Sequence, residues 1–151
     1  MAPVSDMGPV LFAYDGSDLA KLAIEEAARQ LAPGRQALVV CVWQPADVGF
    51  VPVDEQRFDA AQASEVRAAA ERTAARGASL AAAAGFAAQS IAVQAAPTWR
   101  GIVQAADERD ASLIVLGSHG RAGIAGHIFA SVAKAVAGHC ARSVLIVHRP
   151  A

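Results

Sequence analysis

The sequence predicts a single α/β domain with an open, five-stranded parallel sheet and helices on both faces. Three observations predict this fold class. Apolar runs typical of strands alternate with amphipathic helical patterns, in the order β-α-β-α-β-α-β-α-β, which is the order of parallel crossover units. Most of these runs are apolar at nearly every position, as in strands that are covered on both faces. The chain of 151 residues is long enough for one sizeable core, so we assign residues 1–151 to one domain.

Composition excludes several classes of protein. Hydrophobic residues make up 54% of the chain and charged residues 18%, which is too apolar for a disordered protein. The net charge of -1 and the low aromatic content of 5% argue against a nucleic-acid-binding surface. We expect no secretory signal, no membrane span and no disulfide between Cys41 and Cys140, which fit reduced thiols. The sequence therefore predicts a cytoplasmic protein.

The first half of the chain contains two strand patterns and two helix patterns. Ser17 is placed to cap the first helix, and the motif Pro33-Gly34 is placed to end it. The region 44–57 contains two prolines and no clean period, so we expect a loop there. The predicted elements are a strand from Pro9 to Asp15, a helix from Asp18 to Ala32, a strand from Gln36 to Trp43 and an alanine-rich helix from Phe58 to Ala84.

The second half continues the alternation and ends on a strand. Pro97 suits the start of a short helix because its fixed φ is already helical. The predicted elements are a strand from Ala87 to Ala95, a helix from Thr98 to Arg109, a strand from Ser112 to Gly117, a helix from Ile128 to Ala137 and a strand from Ser143 to Arg149. Ligands of such sheets bind at the carboxyl ends of the strands, where the strand order reverses.

A glycine-rich segment lies between the fourth strand and the last helix. In "GSHGRAGIAGHIFAS", which spans residues 117–131, glycine recurs at every third position from Gly117 to Gly126. Exposed backbone N–H groups in such a loop, followed by a helix N-terminus, can hold a phosphate group. The alternative is a loop that needs small residues only to turn and pack. The chain has no Gly-Lys pair for a P-loop, and the G-x-x-G spacing does not fit a dinucleotide-binding fingerprint.

The segment "VLGSHGRAGIAGHIFASVAKAV" and the later "SVLIVHRP" closely resemble the carboxyl-terminal part of universal stress protein domains. The opening "VLFAYDGSDLAKLAIEEA" and the strand "ALVVCVW" resemble the start of the same domains, so the resemblance covers nearly the whole chain. It implies a Rossmann-like fold. ATP-binding members of the family carry G-x-x-G, nine further residues, and then Gly-Ser or Gly-Thr.

The resemblance implies a set of nucleotide-binding residues in this chain. Gly117 and Gly120 match the first two motif glycines, and Ser131 matches the hydroxyl that contacts phosphates. Asp15 matches the acid near the ribose, and Val42 matches the position whose backbone contacts adenine. The flanking positions implied to touch the nucleotide are Ala13, Tyr14, Leu116, His119, Val132 and Ala133.

One position departs from the family pattern. Ala130 stands where the ATP-binding motif has its third glycine. If the site requires a positive φ there, alanine costs roughly 1–2 kcal/mol. If it requires a phosphate against the α-carbon, the methyl group is in the way. We expect Ala130 to weaken nucleotide binding rather than to abolish it.

The residue types also permit two other kinds of site. Asp15 could be an aspartyl-phosphate nucleophile, but position 17 lacks the usual second carboxylate, and ligand binding or local capping of Gly16 and Ser17 is favoured. The four histidines form no H-x-x-x-H pair, so we expect no metal held by protein side chains alone. A magnesium ion that arrives with the nucleotide could be held by Asp15 and the phosphate oxygens.

The last strand, from Ser143 to Arg149, has a possible second role. An edge strand leaves backbone groups unpaired, and the family resemblance implies that two copies pair these strands across a two-fold axis, with Val144 and Ile146 in the interface. A monomer is the alternative.

The sequence thus predicts a cytoplasmic, dimeric regulatory module that binds ATP, with AMP and cyclic AMP not excluded, and that serves an unknown regulatory partner. A stress protein that binds no nucleotide and acts through dimerisation and partner contacts is the first alternative, supported by Ala130. A nucleotide-hydrolysing enzyme is the second, and only Asp15 or His119 could be its base. We expect no enzyme, because no nucleophile and base are in register.

Overall fold

The computed structural model describes residues 7–45, 60–119 and 126–150, except the side chains of Ala60 and of residues 126–131. Strands and helices alternate along this part of the chain. Its elements are β1 (Val10–Ala13), α1 (Asp18–Gln30), β2 (Gln36–Trp43), α2 (Ala60–Ala83), β3 (Ala87–Gln94), α3 (Thr98–Glu108), β4 (Leu113–Gly117), α4 (Gly126–His139) and β5 (Ser143–Val147).

The five strands form one parallel sheet in the order β3-β2-β1-β4-β5. The chain builds outward from β1 to β3, then crosses over and continues with β4 on the other side of β1. The strand order therefore reverses between β1 and β4, which is where such a sheet opens a ligand crevice at its carboxyl edge. The predicted fold class, an open parallel α/β sheet with helices on both faces, is confirmed.

Each face of the sheet has its own hydrophobic core, because successive strand side chains point to opposite faces. In β1, Val10 and Phe12 pack with buried residues of α1 and α2 on one face. On the other face, Leu11 packs with buried residues of α3 and α4. Both faces are thus covered, as the nearly continuous apolar runs predict.

The termini of the elements differ from the predicted ones by a few residues. β5 ends at Val147 rather than at Arg149, and α4 begins at Gly126 rather than at Ile128. The start of α2 at Phe58 lies outside the described residues. Among the helices of the described residues, none combines the length and the apolar character needed to cross a membrane.

Candidate functional site

The carboxyl ends of β1 and β4 meet at the point where the strand order reverses. The two strands pair through Phe12 and Val115, so their last residues, Ala13 and Gly117, lie on neighbouring strands at one edge of the sheet. α1 starts just beyond β1, and α4 is the next described element beyond β4. The crevice is therefore bordered by two helices that both start at this edge.

Asp15 occupies a tight turn between β1 and α1. Its Oδ1 accepts a hydrogen bond from the backbone N–H of Ser17 at 3.0 Å. Gly16 has a φ of +85°, a conformation that glycine adopts without steric cost. Ser17 then caps the helix, with its Oγ accepting from Ala20 N–H at 3.1 Å. These bonds hold the half-buried carboxylate at the crevice, and they confirm the expected cap and local turn.

Gly117 has a packing reason to be glycine. A Cβ at this position would lie 2.8 Å from Cγ of Leu19 and 3.2 Å from the carbonyl oxygen of His119. Leu19 is buried in the first turn of α1. The missing side chain therefore lets α1 pack directly on the end of β4, which brings the turn that carries Asp15 close to the start of the glycine loop.

Ser118 and His119 follow Gly117 and lie beside its contact with Leu19. The backbone N–H of Ser118 donates to the carbonyl oxygen of Val147 at 2.8 Å, which extends the β4–β5 pairing by one residue. The Ser118 hydroxyl is hydrogen-bonded to Nδ1 of His119 at 3.0 Å. Ser118 is buried and His119 is exposed, so the hydrogen bond with the buried Ser118 positions the solvent-exposed imidazole of His119. Sequence reasoning missed Ser118, whose only signal was its place between Gly117 and His119.

Several residues that the family resemblance assigns to nucleotide contact have buried side chains. They belong to the two cores rather than to an open surface, so any contact that they make with a ligand is through the backbone. These residues are Tyr14, Leu116, Val132 and Ala133. Ala13 and Val42 are half-buried. The residue assignment as a whole stays a prediction.

Tyr14 follows β1 at the carboxyl edge and packs on the face of the sheet that α1 and α2 cover. Its ring packs against α2, where a Cβ at Gly77 would lie 2.7 Å from Cδ1 of Tyr14. Burial raises the pKa of the Tyr14 phenol above its ordinary value of 10.0, and the positive charge of Arg76 opposes part of this rise. The pKa shift thus follows desolvation of the ionised form.

The glycine loop is described only in part. Gly120 and the side chains of Ala130 and Ser131 lie outside the described residues. The backbone of Ala130 lies inside α4, four residues after Gly126, and helical residues have a negative φ. The steric cost of a positive φ at Ala130 therefore does not arise, and alanine is a better helix former than glycine by about 1 kcal/mol.

A cavity of about 460 Å³ lies at the opposite, amino-terminal edge of the sheet and is lined by Pro9, Gln36, Ala37, Leu38, Ala87, Ala88, Gln89 and Arg109. Its polar side chains are exposed, whereas the carboxyl edge carries turns held by hydrogen bonds. Across the described ranges, no group of three or more His, Cys, Asp or Glu residues could hold a metal ion.

The fold and the crevice define an α/β protein of the doubly wound class, with its ligand edge at a strand-order reversal. Residues 7–148 match the universal stress protein family, and the chain belongs to that family. A search of curated proteins found no match.

Solved structures agree with this family. The hypothetical protein MJ0577 superposes with a TM-score of 0.74 at 20% identity, over 95% of this chain and 96% of that one. A universal stress protein in complex with cAMP gives a TM-score of 0.63 at 25% identity, over 95% and 98%. A member of the family from Burkholderia pseudomallei gives 0.63 at 26% identity, over 96% and 98%.

Proposed function

We propose that this chain is a cytoplasmic regulatory module that binds an adenine nucleotide, ATP in the first instance, at the carboxyl edge between β1 and β4. One observation carries the proposal: Asp15 and the end of β4 are brought together at the strand-order reversal by hydrogen bonds and by the contact of Gly117 with Leu19. A universal stress protein of the same fold, 25% identical, was crystallised with cAMP, which supports an adenine nucleotide as the ligand class.

The proposed binding mode combines the positions of the elements with the residue roles that the family resemblance implies. The phosphates lie near Gly117 and the start of α4, where the helix dipole favours negative charge. Asp15 accepts hydrogen bonds from the ribose hydroxyls, and the base lies toward Val42 at the end of β2. Magnesium would arrive with the nucleotide, because a single carboxylate and the phosphate oxygens are suitable hard ligands.

The module is proposed to act by binding rather than by catalysis. Hydrolysis of a nucleotide requires a base aligned with an attacking water. Asp15 Oδ1 accepts from the N–H of Ser17, and His119 Nδ1 is bonded to Ser118. Neither bond aligns its group with an attacking water, and we expect any ATP hydrolysis to be slow.

The proposed assembly is a homodimer that pairs β5 across a two-fold axis. β5 is an edge strand of the sheet, and Val144 and Ile146 are only half-buried. A groove of about 250 Å³ runs between α1 and β5 and is lined in part by Leu22 and Leu145. An apolar edge of this kind is stabilised when a second copy covers it.

A second candidate function is a dimeric stress protein that binds no nucleotide. Ala130, in place of the motif glycine, is the observation that favours it. The two candidate functions are distinguished by thermal unfolding with and without excess Mg-ATP, measured on the unaltered protein and on the variant Ala130→Gly. Ligand at about 100 times Kd stabilises by roughly 2.7 kcal/mol, which raises the Tm of a domain of this size by roughly 5–10 °C.

We expect this shift in the unaltered protein. A shift only in Ala130→Gly would establish the second candidate, with a site disabled by one methyl group. No shift in either protein would contradict nucleotide binding altogether.

A further inference from the structure

A polar side chain, that of Gln44, lies at the end of β2, where the proposed function places the base. Gln44 follows Trp43, the last residue of β2, and is half-buried. Because strand side chains alternate, Gln44 lies on the same face of the sheet as Val42. Val42 packs with the core beneath α3 and α4, which is also the face on which the last helix starts.

The start of α3 packs closely against the end of β2. A Cβ at Gly101 would lie 3.1 Å from both methyl groups of Val42 and 2.8 Å from Cβ of Ala95. The absence of a side chain at Gly101 therefore lets the first turn of α3 approach the ends of β2 and β3. This approach brings Thr98, the first residue of α3, to Gln44, whose Nε2 donates a hydrogen bond to Thr98 Oγ1 at 3.4 Å.

In the structure this hydrogen bond directs the nitrogen of the carboxamide to Thr98. With its nitrogen directed to Thr98, the Gln44 side chain presents its oxygen at the other end. A carboxamide oxygen has two lone pairs, so it can accept a hydrogen bond from a ligand in addition to another donor. The 6-amino group of adenine is such a donor, whereas the 6-oxo group of hypoxanthine or guanine is an acceptor.

The position suits the base of a nucleotide whose phosphates lie at β4. β2 is the second strand from β4 in the sheet, which places their ends about 10 Å apart because neighbouring strands lie 4.7–4.9 Å apart. This separation is comparable to the length of an extended nucleotide between its phosphates and its base.

We propose that Gln44, oriented by Thr98, selects 6-aminopurine nucleotides over 6-oxopurine nucleotides. The inference rests on the proposed function and adds a specificity determinant to it. Gln44 contacts the base, and Thr98 is a positioning residue that acts through Gln44. Without Thr98 the carboxamide can turn over and offer its amino group to a 6-oxo purine instead.

The test compares the Kd of Mg-ATP with that of Mg-ITP, in which the 6-amino group and the unprotonated N1 of adenine are replaced by the 6-oxo group and the N1–H of hypoxanthine. We expect the unaltered protein to bind ATP about tenfold more tightly, the effect of one hydrogen bond against an acceptor facing an acceptor. Gln44→Leu weakens ATP binding, does not weaken ITP binding and brings the ratio close to one. Thr98→Val lowers the ratio by improving ITP binding, and Thr98→Ser restores it. Gln104→Leu, which removes an exposed carboxamide of α3 that bonds to Glu108, is the matched control and keeps the full ratio.

The outcomes separate this inference from the proposed function. If neither nucleotide binds the unaltered protein, the proposed function fails and the inference fails with it. If ATP binds but the ratio is close to one, or if Gln44→Leu keeps the full ratio in a variant with an unchanged circular dichroism spectrum, the proposed function stands and the role of Gln44 is overturned.

Discussion

At the scale of single residues, the candidate site depends on contacts that are local in the chain. Asp15, Gly16 and Ser17 form one turn whose hydrogen bonds connect neighbours two and three residues apart. Sequence reasoning could predict this turn, because an acid, a glycine and a capping serine before a helix are a familiar local pattern. The same reasoning could not predict that Tyr14 is buried against α2, since the contact involves Gly77, far along the chain.

Tyr14 gives a direct measurement of this burial because it is the only tyrosine in the chain. Its pKa is raised by burial, so the neutral phenol is favoured in the folded state. The corresponding stability is fully present below the unfolded pKa of about 10 and is lost as the pH rises through the higher folded pKa. We expect absorbance titration at 295 nm to give a pKa above 10 in the native protein and near 10 in urea.

Two variants serve as controls for that titration. Arg76→Gln raises the pKa of Tyr14 further, because the charge of Arg76 opposes the effect of burial. Arg67→Gln, which removes an exposed guanidinium that pairs with Glu71 on the same helix, leaves it unchanged. A native pKa at or below 10 would contradict the buried position of the phenol.

At the scale of secondary-structure elements, the site is set by how closely helices approach strand ends. α1 approaches the end of β4 through Gly117, and α3 approaches the end of β2 through Gly101. The sequence predicted the helices and strands well, because their apolar periods are strong. It assigned Gly117 to the motif loop alone, since the contact of this residue with Leu19 depends on a strand and a helix about 100 residues apart.

Gly117→Ala tests the first of these approaches. The added methyl group would lie 2.8 Å from Cγ of the buried Leu19, and overpacking of this kind costs about 1–3 kcal/mol. For a domain of this size we expect Tm to fall by roughly 2–12 °C, since each 1 kcal/mol corresponds to roughly 2–4 °C. Differential scanning calorimetry gives the measurement.

Gly138→Ala is the matched control for this substitution. Gly138 lies in α4 with no atom within 4 Å of its added Cβ, so alanine is neutral there or stabilises by up to about 1 kcal/mol. Equal Tm values for Gly117→Ala and the unaltered protein would show that α1 does not pack on β4 in this way.

At the scale of the whole molecule, the parallel α/β architecture follows from the sequence, and the strand order and the binding properties do not. Alternating strands and helices with nearly continuous apolar strands leave few arrangements other than an open parallel sheet. The hydrogen bond between Gln44 and Thr98 joins residues 54 positions apart, and no local pattern in the sequence predicts it. The dimer stays a prediction, because the sequence offers only an apolar edge strand and a family resemblance.

Val144→Lys tests the proposed dimer. A lysine in β5 would face its own copy near the two-fold axis, and like charges across paired strands are destabilising. We expect the variant to be monomeric by sedimentation at a concentration where the unaltered protein is dimeric. Val93→Lys places the same charge at another half-buried valine, in β3 at the opposite edge of the sheet, and leaves the dimer intact. An unaltered protein that sediments as a monomer, or a dimer that persists in Val144→Lys, would contradict pairing through β5.

The proposed function depends above all on Asp15 and the end of β4 forming an adenine-nucleotide site. The most direct measurement is calorimetric titration of Mg-ATP into the unaltered protein, Asp15→Asn and Asp18→Asn. Asp15→Asn keeps an oxygen that can accept from Ser17 N–H, so the turn is retained while the charge that holds the ribose is lost. The account predicts one nucleotide per chain, at least about tenfold weaker binding in Asp15→Asn, as for a lost hydrogen bond to a charged group, and little change in Asp18→Asn, whose side chain is exposed. Absence of ATP binding to the unaltered protein, or equal affinity in Asp15→Asn, would contradict it.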